Sequence, residues 1–270
     1  MTVVVPFAGT DDQLRELQVA LDRLRLGPAD ELIVADNRSD PLHTPGYARN
    51  KGADGARGEW LVFLDADTIP DPDLIDRYFD PAPNPQTGVL AGAVNDVAIR
   101  PTAVAREAAR RRRMSQRATL ERDGTAYAQT ANCAIRRDAF ERAGGFDPSA
   151  RAGEDADLCF RLQRAGWTIE ERPGAAVGHR SRESLGAWLG QMLRHGSGAA
   201  WVERRWPGEL PSPGPRGLAR RLAHELREAT TAAARGDRDE AVGALLELAG
   251  AAAFELGRLL PNTRGPGVRG

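Results

Sequence analysis

Two aspartates that follow an apolar segment have the spacing of a metal or diphosphate site. Leu61 to Leu64 form an apolar run that reads as a buried strand, and Asp65 and Asp67 come directly after it. In an extended chain, positions i and i+2 lie on the same side, so both carboxylates face one way. Two hard oxygen ligands suit Mg²⁺ or Mn²⁺ holding a diphosphate. The motif alone favours a loop with two solvated aspartates, and the rest of the chain changes that balance.

The segments around these aspartates alternate between strands and helices. Strands are predicted at residues 2–5, 31–35 and 61–64, and helices at residues 11–26 and 45–58. This order implies parallel strands joined by right-handed crossovers. Because ligands of open α/β sheets bind at the carboxyl ends of the strands, Asp36, which follows the second strand, is expected near Asp65 and Asp67.

The rest of the chain is predicted to be mainly helical. Strands are expected at residues 88–94 and 130–135, and helices at residues 71–79, 103–122, 138–143, 154–165, 184–206, 218–234 and 238–260. The stretch from Pro207 to Pro215 is rich in proline and glycine, which is typical of a linker. The predicted organisation is therefore a domain of residues 1–207, a linker of 208–217, a helical region of 218–262 and a disordered tail of 263–270.

Composition bounds the class of protein. The 270 residues are 41% hydrophobic and 28% charged, which suffices for one large domain with an appendage. A net charge of -1 gives no argument for a nucleic-acid partner. Cys133 and Cys159 form no CxxC pair, so buried reduced thiols are favoured over a zinc site or a disulfide. No signal peptide is visible, so we expect a cytoplasmic protein, with peripheral membrane association as an alternative.

Six segments occur in the order typical of one enzyme family. They are Val3–Pro6, Leu32–Asp36, Ala48–Gly52, Phe63–Asp67, Gly144–Asp147 and Gly153–Leu158. Over about residues 2–200 the chain resembles glycosyltransferase family 2, whose members have the GT-A fold. The resemblance implies a Rossmann-like, mostly parallel central sheet flanked by helices, here with a C-terminal helical appendage. It also implies transfer of a sugar, with inversion, from a nucleotide diphosphate sugar, most often a UDP-sugar.

The resemblance assigns roles on the donor side. Asp36 would bind the nucleobase, although family members often have two aspartates there and Ala35 takes the first place here. Asp65 would contact the ribose or a metal-bound water, and Asp67 would ligate Mn²⁺ or Mg²⁺ together with the diphosphate. The other residues of the nucleotide-binding set are Pro6, Phe7, Arg49 and Ala66.

His179 is a further candidate metal ligand. It follows residues 175–178, which are predicted to form a strand, and similar enzymes often place a histidine there. A neutral imidazole can ligate Mn²⁺. A partly buried structural histidine is the alternative reading.

On the acceptor side, the resemblance points to a glycine turn and an acidic helix start. Gly144 and Gly145 would form the turn beside the acceptor. Asp155 is the candidate general base, because a positioned carboxylate can remove the proton of an acceptor hydroxyl as the new bond forms. Glu154 is its competitor and Asp157 a weaker one. Carboxylates favoured by the helix macrodipole are the alternative for all three.

Acceptor and partners are less determined by the sequence. Arg110 to Arg113, with Arg106 and Arg117, would attract an anionic acceptor or a membrane surface, but a solvated helix face is favoured. Residues 241–260 contain three charged residues and make a poor membrane span. Packing or homodimerisation is favoured for them over membrane contact. The acceptor stays open between a saccharide, a lipid-linked molecule and a small molecule.

Two other functions compete with this interpretation. A phosphohydrolase of the haloacid dehalogenase type has an Asp-x-Asp motif, but it wants threonine two places after the second aspartate, where Ile69 stands. A catalytically silent nucleotide-sugar binding protein would be signalled by loss of the base or metal carboxylates. Asp67 and Asp155 are both present, which favours the enzyme.

Overall fold

The computed structural model describes residues 1–263 and contains a seven-stranded sheet and ten helices in that part of the chain. The strands are β1 (Thr2–Phe7), β2 (Glu31–Asp36), β3 (Trp60–Leu64), β4 (Thr68–Pro70), β5 (Thr87–Val97), β6 (Asn132–Arg136) and β7 (Thr168–Arg180). The helices are α1 (Asp11–Leu21), α2 (Pro45–Asp54), α3 (Leu74–Phe79), α4 (Ala103–Arg111), α5 (Gln116–Leu120), α6 (Arg137–Arg142), α7 (Glu154–Arg164), α8 (Leu185–Arg205), α9 (Gly214–Ala234) and α10 (Arg238–Gly257). Apart from Thr263, the tail predicted at 263–270 lies outside the described residues.

The sheet is mixed, with strand order β2-β1-β3-β6-β5-β7-β4. β1 pairs in parallel with β2 and with β3, which confirms the predicted β-α-β-α-β start. β6 runs antiparallel to both β3 and β5, and β4 runs antiparallel to β7. The sheet is therefore less parallel than predicted, because β6 and β4 enter it against the direction of their neighbours. Strand composition alone carries no signal for that direction.

Hydrophobic cores lie on both faces of the sheet, and β3 divides its side chains between them. Trp60, Val62 and Leu64 belong to one core, whereas Leu61 and Phe63 belong to the other. This alternation follows from the two-residue period of a strand. All five side chains are nearly or fully buried, which explains why the segment reads as a continuous apolar run.

Local signals define the first helices. Thr10 and Gln13 form a reciprocal capping box at the start of α1. The hydroxyl of Thr44 accepts a hydrogen bond from the Tyr47 amide and donates one to the Pro148 carbonyl, so it both caps α2 and ties it to a distant loop. Proline in the first turn of α2 costs nothing, since that position has no intrahelical partner.

Two helices differ from the sequence prediction. The helix expected at residues 103–122 is divided into α4 and α5, because Arg112 adopts a left-handed conformation with φ of 47° and ends α4. No glycine or proline marks that break in the sequence. Helix α9 begins at Gly214, inside the predicted linker, because a proline in the first turn of a helix is tolerated.

The chain forms two compact units. The first comprises residues 1–95 and 114–180 with Thr263, and the second comprises residues 96–113 and 181–262. Helix α8, which the sequence analysis assigns to the first domain, belongs to the second unit with α4, α9 and α10. Within residues 1–263, no helix is both long enough and apolar enough to cross a membrane.

In the second unit, the arginine run takes part in ion pairs. Arg110 and Arg111 both bind the buried carboxylate of Glu107, through Nε atoms at 2.8 and 3.0 Å. Arg110 also pairs with Glu240 at 2.8 Å, and Arg113 pairs with Glu247. These contacts place α10 beside α4, and they leave less of the run available to an anionic partner than its sequence suggests.

Close packing in this unit depends on glycines of α10. A Cβ atom at Gly243 would lie 2.7 Å from Glu107, one at Gly250 would lie 2.6 Å from Trp188, and one at Gly257 would lie 2.2 Å from the Leu193 carbonyl. A side chain at Gly257 would overlap backbone and one at Gly250 would overlap the buried Trp188 ring, whereas one at Gly243 would require Glu107 and Arg110 to move. The glycines are spaced seven residues apart, so they line one side of the helix.

A buried polar network joins three strands of the first unit, and its removal is expected to be costly. Asn132 accepts a hydrogen bond from the Tyr78 hydroxyl at 2.6 Å and donates to the carbonyls of Ala93 and Ala175 at 2.9 and 2.8 Å. We expect Asn132→Ala to lower the free energy of unfolding by about 2–4 kcal/mol, because buried partners are left unsatisfied. Urea denaturation measures this. Tyr78→Phe, which removes one hydroxyl, should cost about 1 kcal/mol, and equal losses would contradict the network's central role for Asn132.

Candidate active site

Three potential metal ligands converge at the carboxyl end of β3. Asp65, Asp67 and His179 each offer one ligand atom, and these atoms all lie within 4.8 Å of one another. The His179 Nε2 atom lies 3.4 Å from Asp67 Oδ1. The imidazole is buried, whereas the two aspartate side chains are 29% and 28% exposed. The site therefore opens to solvent on the carboxylate side and is closed behind the histidine.

The backbone between β3 and β4 explains how the two aspartates are presented. The Asp65 carbonyl accepts hydrogen bonds from the amide and the hydroxyl of Thr68, at 3.1 and 2.8 Å, which closes a tight turn. Thr68 is paired with His179 in the β4–β7 ladder, and the Arg180 amide donates to the Asp67 carbonyl at 2.9 Å. The histidine is thus brought to the aspartates by strand pairing across more than one hundred residues of sequence.

The donor set of this cluster fits a divalent metal. Two carboxylates supply hard oxygen ligands, and a neutral imidazole suits a transition metal such as Mn²⁺ better than Mg²⁺, which prefers oxygen throughout. Three protein ligands leave coordination positions for a diphosphate. The predicted metal site is thus compatible with the structure, and Asp65 joins Asp67 and His179 as a potential ligand.

A buried arginine lies behind the cluster. Arg49 of α2 is 3% exposed, and its guanidinium donates to Asp65 Oδ1 at 2.6 Å and to Glu154 Oε1 at 2.7 Å. Burial lowers the pKa of Arg49, but the charges of Asp65 and Glu154 more than offset this and the pKa is raised. The guanidinium also stacks on the Phe146 ring at 5.6 Å. Arg49 was predicted to bind nucleotide, and its burial favours a positioning role instead.

The acidic start of α7 presents three carboxylates in different environments. Gly153 precedes the helix with φ of 83°, a conformation that glycine adopts at little cost. Glu154 is buried against Arg49, while Asp155 is half-buried and accepts a hydrogen bond from the Ala156 amide at 2.8 Å. Asp157 is fully buried and pairs with Arg161 at 2.9 Å, which favours a structural role over the predicted acceptor-side one.

The carboxyl group of Asp155 has a pKa close to neutral pH. Burial and the neighbouring charge of Glu154 together raise its pKa to about 7, although the Ala156 amide and Arg49 act in the opposite direction. A general base works best when its pKa lies near the working pH. Of the three carboxylates at the start of α7, Asp155 therefore has the environment expected of a base.

The raised pKa of Asp155 has a consequence for stability. The native group binds a proton up to about pH 7, whereas an unfolded aspartate releases it near 3.8. Between these values the native state binds more protons, so the free energy of unfolding falls as the pH rises through this range. We expect Asp155→Asn, compared with wild type in metal-free urea titrations, to gain on the order of 2 kcal/mol more near pH 8 than near pH 4. An equal difference at both pH values would contradict the raised pKa.

The predicted nucleobase site contains a residue that the sequence analysis missed. The Arg38 guanidinium donates to Asp36 at 2.6 Å and to Asp11 at 2.5 Å, and it stacks on the Phe7 ring at 5.4 Å. The hydrogen bonds from Arg38 hold the pKa of Asp36 below its ordinary value. Arginine two residues after an aspartate was the signal that could have found it, because an aspartate at a turn often accepts from the amide two residues on, as Asp36 does from Arg38 at 3.0 Å.

Two other predicted nucleotide contacts lie in the same region of the first unit. Pro6 is paired with Ala35 in the β1–β2 ladder, beside the pair of Phe7 with Asp36. Ala66 is partly buried and packs against one hydrophobic core. Neither residue offers a polar side chain, so any contact with a nucleotide would come from their backbone or from packing.

The Gly144–Gly145 turn, which was predicted to lie beside the acceptor, is held by several hydrogen bonds. Gly144 and Gly145 have φ of 79° and 67°, in the left-handed region that favours glycine. Asn50 donates to the Phe146 carbonyl and accepts from the Phe146 amide, both at 2.9 Å, which fixes the chain just after the turn. Arg161 donates to the Gly145 carbonyl at 2.7 Å. The turn thus has a preset shape, whether or not it contacts an acceptor.

Comparisons with known sequences show the family of the chain. The profile of the family described as "Glycosyltransferase like family 2" matches residues 7–198. The chain is 28% identical over 226 residues to the pre-mycofactocin glycosyltransferase of Mycobacterium tuberculosis, with 77% of this chain and 48% of that protein covered. It is 25% identical over 202 residues to the succinoglycan biosynthesis protein ExoA of Rhizobium meliloti, covering 73% of this chain and 59% of that protein. The chain therefore spans about half of the curated relatives it matches, 48% and 59% of their lengths.

A solved structure supports the fold. The mannosyltransferase PcManGT from Pyrobaculum calidifontis, determined in complex with GDP-Man and Mn²⁺, superposes with a TM-score of 0.60 at 18% sequence identity. The match covers 94% of this chain and 86% of that one. At this identity the likeness shows the fold alone, and it confirms the predicted GT-A fold with a helical C-terminal part.

Proposed function

Because the chain belongs to glycosyltransferase-like family 2, we propose that it moves a sugar from a nucleotide diphosphate sugar to an acceptor hydroxyl or amine. The observation that carries this proposal is the convergence of Asp65, Asp67 and His179 at the carboxyl end of β3. A divalent cation at this edge would balance the charge of the donor's diphosphate, and the three side chains fit one. A UDP-sugar is the expected donor, since the family uses it most.

On the donor side, the residues of the chain bind and orient the leaving group. Asp67 and His179, with Asp65, would hold a divalent cation, which when bound neutralises charge that grows on the departing diphosphate. Asp36 and Arg38 together offer an acceptor and donors of hydrogen bonds at the predicted nucleobase edge. Phe7 supplies an aromatic surface beneath Arg38.

On the acceptor side, Asp155 would take the proton of the attacking group. Its half-buried carboxylate has a pKa of about 7, so a large fraction is ionised and basic at neutral pH. Glu154 is already bound to Arg49, which favours Asp155 as the base. Attack on the anomeric carbon from the face opposite the diphosphate would invert its configuration.

A metal-dependent donor screen tests the proposal. UDP-, GDP- and TDP-sugars are offered with Mn²⁺ or Mg²⁺ to the wild-type protein, and nucleotide release is measured with and without a chelator. We expect release from one donor, faster with an acceptor mixture, and none with the chelator. Tight nucleotide binding without any turnover would instead indicate a silent nucleotide-sugar binding protein. Failure to bind any nucleotide would overturn the proposed function.

A further inference from the structure

The guanidinium of Arg49 joins two parts of the site that have different tasks. One of its nitrogens binds Asp65 at 2.6 Å, beside the potential metal ligands, and the other binds Glu154 at 2.7 Å, at the start of the helix that carries Asp155. The Arg49 guanidinium is 3% exposed and the Glu154 carboxylate is 6% exposed, so each of these buried charges depends on the other for neutralisation. A buried charge without its partner is strongly unfavourable.

We propose that Arg49 is a positioning residue that couples metal binding at Asp65 to the start of α7. The inference rests on the metal site of the proposed function and concerns how that site communicates with the base. In the metal-free protein, Arg49 shares its charge between Asp65 and Glu154. A cation at Asp65 competes with Arg49 for that carboxylate, so the guanidinium interacts more strongly with Glu154 and the start of α7.

Coupling of this kind is reciprocal. If cation binding changes the interaction between Arg49 and Glu154, then Glu154 must change the affinity for the cation by the same factor. In the described residues, Arg49 donates hydrogen bonds to two carboxylates, those of Asp65 and Glu154. When Glu154 is neutralised, Asp65 is the one charged partner left of these two. The full positive charge then opposes a cation at Asp65. Glu154 thereby influences the metal site although it is not one of the clustered ligands.

The test is the dissociation constant for Mn²⁺, measured by calorimetry without donor or acceptor near pH 8. We expect Glu154→Gln to weaken Mn²⁺ binding about tenfold, within the usual range of coupling between two sites. The glutamine amide oxygen can still accept from Arg49, so the fold is expected to be retained. Thermal unfolding of the metal-free variant checks this.

A matched control separates the hydrogen-bonded path from a general field effect. Asp155→Asn also removes one carboxylate from the first turn of α7, and near pH 8 that group is mostly ionised. The single hydrogen bond described for its side chain comes from the Ala156 amide. We expect Asp155→Asn to change the Mn²⁺ affinity less than about threefold, because no direct bond links it to Arg49. Equal weakening by both substitutions would overturn the proposal.

Arg49→Lys provides a second variant. One ammonium on a flexible stem is a point charge and lacks the fork that lets a guanidinium bind two carboxylates at once. In this background, Glu154→Gln is expected to change the Mn²⁺ affinity less than about threefold. An undiminished tenfold effect would overturn the role of Arg49. If all variants bind Mn²⁺ as tightly as the wild type does, the coupling is wrong but the metal site stands. If the wild type binds no Mn²⁺, the metal site is wrong as well.

Discussion

Replacing Asp155 with asparagine is expected to lower kcat by about 10²–10⁴-fold while leaving nucleotide-sugar binding intact. The amide cannot accept the acceptor proton, yet it is nearly isosteric and can keep the bond from the Ala156 amide. The measurement is steady-state transfer at saturating metal, together with calorimetric binding of the donor. Wild-type kcat/KM should rise with pH through about 7 and then level, and the variant should lack this rise.

Glu154→Gln is the comparison for that prediction. Its carboxylate is bound to Arg49, so at saturating Mn²⁺ we expect kcat to fall less than about tenfold, well short of a lost general base. If kcat falls strongly in Glu154→Gln and only slightly in Asp155→Asn, then Glu154 is the general base and Asp155 is not. Loss of donor binding in Asp155→Asn would mean that the residue acts on the donor rather than on the acceptor.

Replacing Asp67 with alanine is expected to lower metal-dependent nucleotide release by about 10³-fold. A bound cation supplies several kcal/mol of transition-state stabilisation, and each 1.36 kcal/mol corresponds to about tenfold in rate. The Asp67 carboxylate lies 3.4 Å from His179, and its removal leaves Asp65 and His179 as the remaining members of the three-residue cluster. Initial rates across a range of Mn²⁺ concentrations measure the loss.

Asp76→Ala is the control for a lost surface charge, since Asp76 lies exposed on α3. It should behave as wild type in both rate and Mn²⁺ dependence. If Asp67→Ala regains most of its rate at high Mn²⁺, Asp67 contributes to affinity alone. If it keeps full activity in the presence of a chelator, the proposed metal role is wrong.

The sequence predicted the parts of the site whose signals are local. Asp65 and Asp67 follow the apolar strand β3, and Asp36 ends the parallel strand β2, so all three lie at the same edge of the sheet. The family resemblance located His179 and Asp155 as well. The ion pairs that join Arg49 to Asp65 and to Glu154 were not predicted. Arg49 and Glu154 are 105 residues apart in the chain, and no spacing rule covers such a separation.

The direction of strands and the breaks in helices were also beyond the sequence pattern. Both faces of β3 and β6 are buried, so their side chains carry no alternation that would reveal an antiparallel pair. The division between α4 and α5 falls at Arg112, where neither glycine nor proline stands. The arginine run suggested a basic surface, and its ion pairs with Glu107, Glu240 and Glu247 appear only once α10 is in place.

Glycine and glutamate both recur every seven residues in α10, and this repeat affects which alignment the helix takes along the helices it packs against. Gly243 and Gly250 are seven residues apart, and so are Glu240 and Glu247. A helix displaced by seven residues, or about 10.5 Å, would bring a glycine to a glycine position and Glu247 to the place of Glu240. Phe254 would then stand where Glu247 meets Arg113, and that ion pair would be lost. The slipped copy would also have no glycine at the place of Gly257, because position 264 is an arginine. Glu247 and Gly257 therefore distinguish the native alignment from its slipped copy, although Gly243 and Gly250 alone would accept both.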